Sequence, residues 1–94
     1  MHMRVVRFTD VDAEQMDRML ARIKESDGPP PGVPATGLTV LVDEDQRTAV
    51  VLQRFASADD MDAGARVFSA MDASDTPGSR ASVDMCEQKL DLEA

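Results

Sequence analysis

Two apolar runs, Leu38 to Val42 and Ala49 to Leu52, flank the polar stretch Asp43-Glu44-Asp45-Gln46, and they leave the segment from Thr36 to Phe55 few ways to fold. Both runs are rich in β-branched residues, which suit extended backbone, and the polar link between them supplies a turn, so the segment reads as a β-hairpin. Neither run alternates cleanly. Leu38, Val40 and Val42 share one face of the first strand and Gly37, Thr39 and Leu41 the other; on the second, Ala49, Val51 and Phe55 oppose Val50 and Leu52. An antiparallel sheet with one wet face would read apolar and polar in strict turn. Both faces of this hairpin therefore need cover.

The flanking segments supply the rest of a sheet and two helices. Met3 to Phe8 reads as a strand whose Arg4 and Arg7 fall on opposite faces, each expected to reach past the sheet's end to water along its aliphatic stem. Asp12 is an N-cap, with Gln15 three residues on in a capping-box pattern, and Ala13, Met16, Leu20 and Ile23 recur at helical spacing. This helix stops near Asp27-Gly28, because Pro29, Pro30 and Pro31 cannot continue it, and a stiff connection runs on to Pro34. After the hairpin, Ser57 caps a second helix, with Asp59, Asp60 and Asp62 in or near its first turn, where carboxylates suit the positive end of the dipole. Its stripe is Met61, Ala65, Phe68 and Met71, with Gly64 beside them either allowing a close backbone approach or leaving room for a ligand. A turn at Asp75-Thr76-Pro77-Gly78 ends the helix, and Arg80 to Leu90 reads as a last strand with Ala81, Val83 and Met85 on one face.

The order is βαββαβ, so the expected fold class is α+β and ferredoxin-like, a four-stranded antiparallel sheet with two helices on one face. Crossovers of this kind are right-handed, which puts both helices on the same side. A second copy of the chain is the simplest cover for the other, apolar side, giving a homodimer that closes into an α/β barrel. At 94 residues the chain is one domain over 1–94, long enough to bury roughly 60 to 65% of its unfolded surface but with little volume to spare.

Charge removes several partner classes. The net charge is −8, spread as −3 over residues 1–47 and −5 over residues 48–94, with no cluster of Lys or Arg. Nucleic-acid and anionic-membrane surfaces need such clusters, so neither partner is expected. No apolar run reaches the length of a membrane span or signal-peptide core, and the single cysteine, Cys86, cannot form an internal disulfide. A cytoplasmic location is the expectation.

The order of elements, the Pro31-Gly32-Val33 lead-in to the hairpin, and the run Val51-Leu52-Gln53-Arg54-Phe55-Ala56-Ser57 followed by an acidic first turn resemble dimeric α/β-barrel proteins, most closely their antibiotic-biosynthesis-monooxygenase-like group. The resemblance covers nearly the whole chain and implies the barrel dimer. It also implies one of the group's activities, oxygenation of polycyclic aromatic substrates without a cofactor or haem degradation, or no catalysis at all. Haem-degrading members use a helix histidine, a first-strand Asn and a second-helix Trp; counted from the Ser57 cap, Gly64 stands in place of that Trp and Ser74 in place of that His. The chain has no Trp, Tyr or Asn, and its one histidine is His2. Haem iron thus has no evident ligand, and no cofactor or metal is expected.

Other chemistry is equally sparse. Cys86 as a nucleophile wants a neighbouring base and reads better as a packing residue. Asp43-Glu44-Asp45 lacks the further oxygen ligands a calcium loop needs. No catalytic residue is assigned. The remaining candidates are ligand contacts between helices and sheet, namely Gln53, Gly64, Phe68, Met71 and Arg80, set beside the simpler reading that the apolar ones fill the core. The functional expectation is a non-enzymatic small dimer that binds a small apolar or aromatic molecule or serves a structural or regulatory role. The alternative is a divergent cofactor-independent monooxygenase or isomerase acting on an aromatic or polyketide-like substrate, in which Arg80 or Arg7 steadies an enolate.

Overall fold

The computed structural model describes residues 1–26, 28–30, 32–70 and 77–93. Its elements run β1 (His2–Thr9), α1 (Ala13–Glu25), β2 (Ala35–Asp43), β3 (Thr48–Phe55), α2 (Ala58–Ser69) and β4 (Ser79–Glu87). The strands form one antiparallel sheet in the order β2-β3-β1-β4. This is the ferredoxin-like βαββαβ arrangement expected from the sequence.

Local chemistry sets the element boundaries. Asp12 Oδ1 accepts from Glu14 N (2.8 Å) and Gln15 N (3.2 Å), satisfying two of the orphan donors at the start of α1. Ser57 Oγ accepts from Asp60 N (3.1 Å) and does the same for α2. In the hairpin turn Asp43 accepts from both the backbone and the side chain of Gln46, and Arg47 takes a left-handed φ of 56°. Two bonds tie the β1–α1 turn to its surroundings, Val11 N to Arg47 O and Asp12 N to Pro77 O, each 2.9 Å. The helix and sheet layers are thereby held in register at one end.

Both helices lie on the face of the sheet that carries Val6, Phe8, Ala49, Val51 and Phe55. The core there is in two parts. Met16 of α1 packs with Val6, Phe8, Val11, Ala49 and Val51, while Met61 of α2 packs with Val33 and Phe55. Strand pairing shows what separates them: Val6 faces Val51 and His2 faces Phe55, and between these two rungs Arg4 faces Gln53. A polar rung thus divides the core.

Three boundaries and placements differ from the sequence reading. Helix α2 ends at Ser69 with its cap at Ala70, and the stripe position Met71 lies outside the described residues. Strand β4 stops at Glu87 rather than Leu90: its last pair with β1 is His2 with Glu87, and Gln88 N makes one further bond to Met1 O (2.9 Å). Arg4 does not reach water. It is 4% exposed, whereas Arg7, on the opposite face, is exposed as expected.

Candidate functional site

Arg4 is the centre of the site. Its parity on β1 is that of Val6 and Phe8, so the strand's alternation carries it to the helix side, where the middle of the sheet gives it no route to solvent. Nη1 donates to Gln53 Oε1 at 3.0 Å, and the guanidinium carbon sits 5.0 Å from the centre of the Phe68 ring on α2. Neither contact carries a negative charge. Among the described residues Arg4 has no ion pair and its buried Nε has no hydrogen-bond partner.

Burial pushes the Arg4 guanidinium down from its ordinary pKa, and repulsion from Arg80 adds to the effect. An arginine stays charged nonetheless. A buried, uncompensated charge costs several kcal/mol, against about 2 kcal/mol for a desolvated cation–π contact and roughly 1.5 to 3 kcal/mol for a hydrogen bond to a charged group. These two contacts offset much of that cost; what they leave unmet is the buried Nε, a charged donor with no acceptor among the described residues.

A second unpartnered nitrogen lies beside it, one that donates or accepts according to the imidazole's protonation. His2, two residues along β1 on the same face, has its Nδ1 buried and without a partner among the described residues. The acid at the end of this face of β4 is Glu87, opposite His2, and it is engaged with Lys89 at 3.2 Å. On the β4 flank of Arg4 the helix layer is incomplete. Val83 pairs with Val6 and Met85 with Arg4, so both point to the helix side, yet they are 38% and 42% exposed. Helix α2 packs over β1, β3 and β2 instead. The result is an apolar shelf that meets a buried cation.

Of the ligand contacts proposed from sequence, Gln53 is buried and bonded to Arg4, Phe68 covers Arg4, and Arg80 stands on β4 opposite Phe8, exposed and near enough to repel Arg4. Gly64 is buried elsewhere, against Phe55: a Cβ placed on it would sit 2.7 Å from the Phe55 ring, so glycine is what lets α2 approach the sheet this closely. Met71 falls outside the described residues. Met16 and Met61, stripe residues of the two helices, fill the two core clusters. Sequence reading missed Arg4 and His2. The signal was present, since both share parity with Val6 and Phe8 in a strand whose apolar side must face the core.

A groove at the opposite end, between the start of α1 and the hairpin turn, is lined by Asp12, Glu14, Asp17, Asp43 and Glu44. The Asp12 and Asp43 carboxylates are occupied in capping and turn bonds, and among the described residues no three His, Cys, Asp or Glu converge as metal ligands. Cys86 pairs with Met3 on the helix-free face, away from His2. No helix of the described residues is long and apolar enough to cross a membrane. Comparison with protein-family models, with curated proteins and with solved structures returns no match.

Proposed function

We propose that this chain is a non-enzymatic small-ligand-binding protein, working in the cytoplasm as a homodimer of the dimeric α/β-barrel type and related to the antibiotic-biosynthesis-monooxygenase-like group. The observation that carries the binding role is Arg4, a permanently charged side chain 4% exposed with no acid beside it among the described residues. Folding alone gives no reason to place such a charge in a core, and a perturbed, buried group next to accessible apolar surface is what a binding site requires. The dimer is supported by the helix-free face of the sheet, where Val5, Val50 and Leu52 are only partly covered and Leu41 is 53% exposed.

One observation favours the enzymatic alternative: His2 Nδ1 is unpartnered on the same face as Arg4, which would put a proton acceptor beside a stabiliser of developing negative charge. The test of the binding role is a thermal-shift screen with small aromatic amides, aromatic acids and short alkyl acids. A saturable rise in the unfolding midpoint with at least one class is expected. No saturable rise with any class would overturn it.

A further inference from the structure

We propose that the ligand is a small organic carboxylate with a flat apolar body, its carboxylate held by Arg4 Nε and His2 Nδ1 and its body laid on Val83 and Met85. This rests on the binding role above and gives it a substrate class.

Three observations converge on that class. The two buried nitrogens without partners, Arg4 Nε and His2 Nδ1, belong to residues i and i+2 of one strand on one face. Such residues are about 7 Å apart at Cα, so their side chains can reach the two oxygens of a single carboxylate. A neutral ligand could accept one hydrogen bond, but it would leave the guanidinium charge uncompensated. Arg80 adds a second positive charge on the same face, and Glu87 opposite His2 is paired with Lys89, so the balance around Arg4 favours an anion over a cation.

The body of the ligand is set by what flanks the charge. One face of the Arg4 guanidinium is turned to Phe68 and Nη1 is taken by Gln53, so the flank left to a ligand is the β4 side, where side chains must move aside to uncover the buried Nε. There the neighbours are Val83 and Met85, apolar and exposed, and a methionine's flexible thioether can swing aside to admit a planar group. A compact inorganic anion would neutralise Arg4 and leave this shelf wet. An aromatic or similarly flat acid satisfies both.

The experiment is titration calorimetry with 2-naphthoate and its uncharged counterpart 2-naphthamide, on the wild-type chain and on Arg4→Met and Arg80→Gln. Saturable binding of naphthoate at least tenfold tighter than naphthamide is expected, abolished in Arg4→Met and weakened several-fold in Arg80→Gln. Arg80 is exposed, so Arg80→Gln keeps the test decisive should Arg4→Met not fold: an unchanged naphthoate affinity in that variant counts against the proposal. Equal affinity for naphthoate and naphthamide would overturn the carboxylate while leaving a ligand-binding protein. Binding of neither, with no saturable response in the thermal-shift screen, would overturn both.

Discussion

Arg4 and Gln53 are a pair in which each member makes the other tolerable, and single and double substitutions separate what each contributes. Gln53→Leu alone removes the acceptor of the Nη1 bond and leaves the cation with only the Phe68 ring; a loss of about 2 kcal/mol is expected in denaturant unfolding. The double variant Arg4→Met, Gln53→Leu replaces the polar rung with apolar groups of similar size, and should be neutral or more stable by about 1 to 4 kcal/mol. A double variant less stable than either single would mean that the rung serves the fold and not a ligand. Gly64 gives the opposite kind of test. Gly64→Leu must push the Phe55 ring aside, and overpacking of about 1 to 3 kcal/mol outweighs the roughly 1 kcal/mol gained in helix propensity, so the melting temperature falls by several degrees. An unchanged melting temperature would show that α2 can lift away from β3 freely. Parity along β1 made the burial of Arg4 legible before any coordinates, had the apolar side of that strand been followed through its charged positions. Its pairing with Gln53 was not legible, because which residue stands across a rung depends on strand register, and that is fixed by the whole hairpin.

At the scale of elements, the strongest sequence signals were those whose physics is local. Asp12 and Ser57 each cap a helix through their own side-chain oxygens, and the turn at Asp43 to Arg47 closes on itself, so all three could be placed from neighbours in the chain. Asp12→Ala should cost about 1 kcal/mol, read as a lower denaturation midpoint with an unchanged slope, since Oδ1 serves both Glu14 N and Gln15 N. The end of β4 depended instead on where a different strand begins. Residues 88 to 90 read as continuing the strand, yet the ladder with β1 ends at the pair His2 and Glu87, followed by the single bond from Gln88 N to Met1 O. A periodic pattern states that a segment is able to be a strand; a ladder needs two sides.

For the whole molecule, the sheet's second face sets the expected assembly. Met3, Val5, Val50, Leu52 and Leu41 form its apolar centre, beside exposed Arg7 and Asp84, and Arg54 is folded flat over Gly37, donating to Thr39 Oγ1 at 2.7 Å. Light scattering at micromolar concentration should give twice the chain mass, and Leu52→Asp should give a folded monomer. A wild-type monomer would overturn the barrel dimer.

The polar rung has a consequence for how the molecule breathes. Two apolar clusters divided by the buried Arg4 and Gln53 are bound to one another more weakly than a single continuous core would be, so the α1 half and the α2 half are expected to behave as separate cooperative units. Amide exchange of α2 should then proceed through partial opening, at a free energy below that of global unfolding, while the β1 and β3 amides beside Met16 exchange only when the whole chain opens. An anion seated on Arg4 would join the two halves, and occupancy would be visible as merging of the two exchange classes into one.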